Sequence, residues 1–508
     1  MFANFRINIF ISKNDLYSVK EEFNMKKLIF ALFISVSTIC QSQTYCVPRE
    51  PGTLVDFRPF FEKQQIKGYL QLIKGQGDDK SQTYQYTLLD TDFNKIYQGN
   101  FTENRKSSQP NLKYAYYKDG KIFMTLNELT KGMYMNDRFI FVDTQSGAST
   151  PVLTMKDGNA VELKGEAFTT LNYSFAVSPV EGRGFIMSES QKKGNIGYYK
   201  NLILFDTSGK KIWQNAALPT DSDSHFHEYS VMAADRDVVA ALVSYYKNRS
   251  NLSDQLLLLD AASGRQIASR PFSQGQYNLT FSEVKMDETF LYLVGTYYKK
   301  NTDAKALEYK LENKLGLYRY KIDKKTGELV AEDYLPFTDF GKFVDISPEG
   351  KIKKEGILHL RSVEIRPDGR NVIIAETYKP ENLVSGGGFT ELYTMLLSPD
   401  FKIEKMKSFN MDFTIGSKFA YTQILPGDKG LSSIFRNQEG KQFTINEITY
   451  TDADSNFETR KLIIKKEDKD KDLLLAKPGY IGVRDNYYFT AKKLGKSADI
   501  TLMPINSQ

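Results

Sequence analysis

The sequence predicts an all-β chain in which one small antiparallel sheet is repeated many times, and three observations predict it. Short runs of β-branched, Leu and aromatic residues alternate with clusters of Asp, Ser, Gly and Lys, which is strand and turn spacing rather than helical spacing. One unit recurs along the chain: a strand ending in Asp, a tight turn and a return strand. A second hairpin precedes it each time, so each repeat carries four strands.

Composition sets the outer limits. The chain has 508 residues, 41% of them apolar and 13% aromatic, enough for a packed core and too much for wholesale disorder. Two Cys exclude a disulfide scaffold, and three His exclude a His-rich metal protein. The 68 Lys and Arg exceed the 62 Asp and Glu by only 6. That surplus is spread along the chain, whereas nucleic-acid binding needs basic residues clustered on one face, so no nucleic-acid partner is expected.

The elements follow in chain order. Met25, Lys26 and Lys27 precede an apolar run over 28–40 that falls short of the roughly 20 residues needed to span a bilayer. Residues 25–42 therefore read as a signal peptide cut after Ser42, and residues 1–24 as an upstream extension without structure of its own. A lipid anchor on Cys40 fits less well, because Ile39 is bulky where a small residue is needed. The expected product is periplasmic or extracellular, carries no transmembrane segment, and keeps Cys46 as its single thiol, so no internal disulfide can form.

The recurring unit then reads YTLLDTDFNKIY from Tyr86, RFIFVDTQSGAS from Arg138, NLILFDTSGKKIW from Asn201, QLLLLDAASGRQI from Gln255, LYRYKIDKKTGEL from Leu317, YTMLLSPDFKIEK from Tyr393 and INEITYTDADSNF from Ile445. Its strand-end markers are Asp90, Asp143, Asp206, Asp260, Asp323, Ser398 and Asp452, at intervals of 53, 63, 54, 63, 75 and 54 residues. Asp at a strand end caps the turn through its own side chain, and Gly in the turn supplies positive φ. A four-stranded sheet at near-constant interval is how a β-propeller looks in sequence.

The segment NLILFDTSGKKIW also resembles the repeat of quinoprotein-type propellers, with Trp213 at the position that docks one blade on the next. That resemblance implies eight blades. Elsewhere the Trp position holds other residues, so no quinone cofactor is expected. The whole chain resembles secreted bacterial propeller proteins of unknown function, a likeness that supplies no activity.

The stretch from Gly479 holds about three strands, and an N-terminal strand at Leu54 to Phe60 would complete that last sheet and close the ring, leaving no unpaired edges. The expectation is one domain over 43–508 with eight blades, seven being the alternative. Insertions interrupt the pattern at 301–315, where Leu307, Leu311 and Leu315 suggest a short amphipathic helix, at 340–356, and at the charged run 465–472. Such insertions project from one rim, where binding sites gather.

Few residues point to chemistry. In DSDSHFHEYS, Asp221, Asp223, His225 and His227 share odd numbering and would emerge on one face of an extended strand, a set able to hold zinc or another divalent ion. A solvated loop with local turns explains the segment better, since neighbouring positions seldom supply a whole coordination shell. His359, inside the apolar strand ILHLRSVEI, reads as structural. The acidic runs at Asp452 and Asp468 lack the Gly and Glu that a calcium loop requires at its sixth and twelfth positions. Nucleophile elbows and phosphate-binding loops are missing, and Ser190 with Lys193 falls in a hairpin where a helix would be needed.

Glu283 and Glu364 lie on strands expected to be innermost, where a pair of carboxylates could serve glycoside chemistry, although 62 acidic residues make such positions common. Tyrosine pairs near strand ends, such as Tyr297 and Tyr298, suit packing between blades better than a sugar platform. A non-catalytic scaffold binding a protein or glycan through rim loops is thus expected, with a polysaccharide hydrolase or lyase as the alternative.

Overall fold

A computed structural model of the chain describes residues 43–47, 52–62, 65–78, 81–103, 110–130, 133–156, 158–162, 175–193, 196–215, 226–247, 250–272, 275–300, 314–353, 356–379, 388–410, 422–427, 430–439, 442–464, 483–484, 487–494 and 497–504. The chain divides into two units, Met1–Ser42 and Gln43–Gln508. The first lies outside the described residues, together with the signal peptide and upstream extension expected there.

Among the described residues, the second unit is almost wholly strand, grouped into eight antiparallel sheets. Seven follow the chain at 53–103, 110–162, 175–215, 226–271, 277–336, 351–410 and 422–464, and within each the strands pair in sequence order. Sheets two and six carry a fifth strand. Asn159–Glu162 folds back on the outer strand of the second, and Lys351–Ile352 pairs ahead of the first long strand of the sixth. The expected four strands per repeat are corrected at these two places, because the sequence there has room for one more hairpin arm.

The last sheet corrects another expectation. Its strands Val483–Arg484, Tyr487–Leu494 and Ser497–Pro504 are completed by Gln43–Val47, which pairs with Ser497–Pro504. The strand expected for that role lies within Thr53–Glu62, which instead opens the first sheet by pairing with Gln65–Gly77. The two-residue connection after Glu62 makes that local hairpin the easier partner.

The turn markers behave as their chemistry dictates. Asp90 Oδ1 accepts from the backbone N–H of Asp92 and Asn94, Asp206 Oδ1 from Ser208 and Lys210, and Asp323 Oδ1 from Lys325 and Thr326, all at 2.8–2.9 Å. At Asp143 the N–H groups of Ser146 and Gln145 hold the carboxyl down at about 2.

Apolar layers lie between consecutive sheets. Leu72 and Leu88 of the first sheet pack with Met124 and Ile140 of the second. Phe123 and Phe141 of the second pack with Phe185 of the third, whose Trp213 packs with Leu257 of the fourth. The series continues through Leu258 with Leu293, Leu317 with Ile373, and Ile374 with Ile448. The middle strands of sheets two to six are therefore covered on both faces, which is why Phe290–Lys299 is buried along most of its length while the outer Gln266–Pro271 is not. Tyr297 and Tyr298 are both buried for the same reason.

Trp213 shows how sheets dock. Its indole N–H donates to the Ala261 carbonyl at 3.0 Å, and its ring lies against Gly264 in the turn of the next sheet. Gly264 has φ +70°, and a Cβ there would come within 2.6 Å of the ring. Tyr97 covers Gly147 and Ala268 covers Gly327 in the same manner, so other side chains fill the docking position where Trp is missing.

Sequence patterning gives no hint of a further feature. The first long strands of sheets one, two, four, five and six each carry a bulge, between Leu54/Asp56, Leu112/Tyr114, Val231/Ala233, Phe281/Glu283 and Leu360/Ser362. An extra residue in one strand re-aims the side chains around it.

Candidate functional site

The fifth and sixth sheets build the site. Their first long strands are Tyr277–Met286 and Gly356–Ile365, and each ends in a tight turn, at Asp287 and at Pro367 respectively. Between these turns lies a cleft of about 820 Å³. Its volume falls in the range of small-molecule sites.

The walls are held from within. Asp287 Oδ1 accepts from the N–H of Thr289 and of Phe290, both at 2.7 Å, and its Oδ2 accepts from the Tyr292 hydroxyl at 2.9 Å. Burial, then the Asp287 carboxylate, pushes the Tyr292 phenol well above its ordinary range. On the facing turn, Asp368 Oδ2 accepts from Arg370 Nε at 2.6 Å. Arg366 beside it grips Asp452 of the seventh sheet.

The floor joins the two strands. Lys285 Nζ donates to Glu364 Oε1 at 2.7 Å and lies 3.9 Å from Glu283 Oε2, so one ammonium bridges both carboxylates. Burial pushes the Glu283 carboxyl up, Lys285 pulls it back, and Glu364 adds to the rise. Arg361, the residue displaced by the bulge, lies with Nε 3.1 Å from the fully buried Glu376. Behind them Lys314 Nζ donates to the Leu358 carbonyl at 2.9 Å, and burial brings its amine down to about 8. His359 is edge-on to Tyr378 at 5.9 Å and is held neutral: burial, then Lys314 and Arg361, lowers it to about 4.

One cation in the cleft is partnered differently. Lys321 lies with its Nζ 3.9 Å over the Phe290 ring and 5.9 Å over that of Tyr292. Among the described residues it forms no ion pair.

Of the expected residues, the structure brings Glu283 and Glu364 together on the strands foreseen for them. Lys285 shares the face of Glu283 by alternation, a signal the sequence carried once that strand was drawn. Lys321 and Arg361 had no such signal, because one depends on a neighbouring strand and the other on a bulge. For the metal set, Asp221, Asp223 and His225 lie outside the described residues. His227 sits in Phe226–Ala234 opposite Tyr245 and edge-on to Tyr229 at 5.6 Å. Tyr229 is buried and donates to Asn215 Oδ1 of the third sheet, so this face of the strand turns toward the interface between sheets. No group of three or more metal-ligating side chains occurs among the described residues. No helix among them is long and apolar enough to cross a membrane.

Comparison with known proteins supplies a family and a set of folds. A family of unknown function, DUF6770, matches residues 24–412. No curated protein matches the sequence. Among solved structures the chain is similar to the WD40 domain of SCAP from fission yeast, with a TM-score of 0.40 and 8% identity over 92% of this chain and 98% of that one. It is similar to an ulvan lyase of polysaccharide lyase family PL25, with a TM-score of 0.41 and 10% identity over 77% of this chain and 91% of that one. It is also similar to the quinohemoprotein alcohol dehydrogenase of Comamonas testosteroni, with a TM-score of 0.39 and 9% identity over 92% and 77%.

Proposed function

We propose, for a chain that belongs to the DUF6770 family of unknown function, an exported eight-bladed β-propeller that acts as a non-catalytic scaffold and holds a protein or glycan in the cleft between its fifth and sixth sheets. Eight sheets among the described residues, with an N-terminal strand completing the last, support the blade number. The charged and apolar segment before Gln43 supports export.

One observation carries the binding role. The cleft is charged, yet Asp287 caps its own turn, Asp368 is bonded to Arg370, and Glu364 is bonded to Lys285. Side chains so committed shape a surface rather than standing ready to attack or to take a proton. Hydrogen exchange on the exported protein, with and without the material that co-purifies with it, tests this. Protection at 285–290 and 365–369 is expected. Protection confined to other rims would reject the cleft as the site.

A second reading has its own support. Glu283, raised by burial, and Glu364 share one ammonium, and carboxyls in unlike environments are what a polysaccharide hydrolase or lyase would use as acid and base. New reducing or unsaturated ends from a polysaccharide panel, lost in Glu283→Gln, would establish it. A divalent metal at Asp221, Asp223, His225 and His227 belongs to this reading. Stoichiometric zinc that disappears in the His225→Ala, His227→Ala double variant is its test.

A further inference from the structure

We infer that the cleft takes an extended basic peptide segment of a partner protein, which pairs its main chain with the strand edges there and sets Lys or Arg side chains against the carboxylates of the two turns; this rests on the cleft being the binding site. Both walls present unpaired backbone. Tyr277–Met286 is the end strand of the fifth sheet, and Gly356–Ile365 is paired on its free side only at its start, through Lys351–Ile352. The Asp287 N–H bonds the Phe290 carbonyl and the Arg366 N–H bonds the Arg370 carbonyl, each within its own hairpin. Backbone direction alternates along a strand, so the preceding residues, Met286 and Ile365, aim their N–H and C=O groups out of the sheet edge. Such an edge is a template for one more strand.

The joint is also open at its rim. Arg183 Nε donates to the Arg236 carbonyl at 2.7 Å across sheets three and four, Lys324 Nζ to Asp235 Oδ2 at 2.5 Å across four and five, and Arg366 holds Asp452 across six and seven. Between five and six the Lys285 bond to Glu364 lies on the floor, and among the described residues no side chain joins the turn tips at Glu288 and Asp368 above it.

Side chains set the class of peptide. Met286, Ile365 and Pro367 line the cleft with Phe290 and offer a seat to apolar residues. Four carboxylates, Asp287, Glu288, Glu364 and Asp368, stand in the lining against three cations. Two of those cations are already held by acids, Lys285 by Glu364 and Glu283, and Arg366 by Asp452. The third, Lys321, lies 3.9 Å over the Phe290 ring. Glu288 is exposed at its turn tip and forms no ion pair among the described residues, so an incoming ammonium or guanidinium meets an open carboxylate there. Alternate side chains of an extended segment face opposite ways, which lets apolar residues meet the walls while basic ones reach the tips. A glycan lacks the regular main-chain ladder that would match these edges, and an acidic peptide would meet like charge.

Fluorescence anisotropy on the exported protein tests this with labelled, end-blocked hexapeptides of alternating Val and Lys and of alternating Val and Glu, with copies of the first N-methylated on alternate amides in either register, and with a labelled neutral galactan tetrasaccharide. Amide exchange locates the contact. The lysine peptide should bind at least about tenfold tighter than the glutamate peptide, as several charge contacts of modest strength imply. Methylation in at least one register should abolish binding, and the amides of Met286 and Ile365 should gain protection. Glu288→Gln should weaken the lysine peptide about threefold, with Trp213 fluorescence confirming the fold. Equal or tighter binding of the glutamate peptide overturns the basic assignment, and binding indifferent to methylation in both registers overturns strand pairing. Binding of the tetrasaccharide alone overturns the peptide and leaves the cleft standing as the site. Lysine-peptide protection confined to other amides rejects the cleft itself. Binding of no probe to folded protein overturns peptide docking, and the cleft is then judged by exchange with the co-purifying material.

Discussion

Arg366 of the sixth sheet clasps Asp452 of the seventh through two bonds, Nε to Oδ1 at 2.8 Å and Nη2 to Oδ2 at 2.6 Å. Asp452 is the seventh strand-end marker, and its counterparts cap their own turns. Here the carboxylate has been recruited across the interface. Arg370 supports it by donating to the Asp452 carbonyl at 3.4 Å and to the Ser455 hydroxyl.

Removing the clasp should loosen that interface. Only 5% of the Arg366 side chain is exposed against 28% for Asp452, so the pair is partly screened and the full cost of breaking a buried ion pair does not apply. Arg366→Ala should cost about 2 kcal/mol in chemical denaturation. A double-mutant cycle with Asp452→Ala should return a coupling of about 1 kcal/mol or more, and additive losses would show that the two side chains act independently.

Docking of the third sheet on the fourth should depend on shape at one glycine. Trp213→Ala empties a buried site and should cost about 3–5 kcal/mol. Gly264→Ala should cost about 3 kcal/mol, since it meets both a left-handed backbone and the indole ring. Gly182→Ala is the control: φ is +65° with open space around it, and about 1 kcal/mol is expected. Trp213 is the chain's one tryptophan, so its emission reports on this contact directly.

Acid should weaken the fold partly through His359. Its folded-state value of about 4 lies below the ordinary 6.5, so between those limits the unfolded chain binds the extra proton. Stability from this group is therefore present above pH 6.5 and drains away toward pH 4, up to about 3 kcal/mol. His359→Gln should flatten the loss of thermal stability across that window relative to the wild type. An unchanged pH slope would mean that His359 takes up its proton as readily in the folded as in the unfolded chain.

The repeat was legible because its causes are local. An Asp that caps its own turn and a Gly at positive φ leave their mark within a few residues, and Asp90, Asp143, Asp206 and Asp323 stand where the spacing put them. Pairing set by distant chain was not legible. Leu54 to Phe60 has the alternation of a closing strand, but the register partner of Ser497–Pro504 is Gln43–Val47, chosen by tertiary pairing that no local pattern encodes. The site divides in the same way. Glu283 and Glu364 followed from strand order, while Arg361 needed a bulge to bring it beside Glu376.

The central claim is that the N-terminal strand completes the last sheet, and cysteine pairing tests it most directly. Cys46 stands opposite Asp499 in the antiparallel register. Such partners have Cα atoms about 4.5–5.5 Å apart, within disulfide range. In a Cys40→Ser background, Asp499→Cys should yield a peptide linked to Cys46 under mild oxidation, detected by mass spectrometry without reduction. Two free thiols in the folded, oxidised protein would contradict the closure and, with it, the eight-sheet propeller.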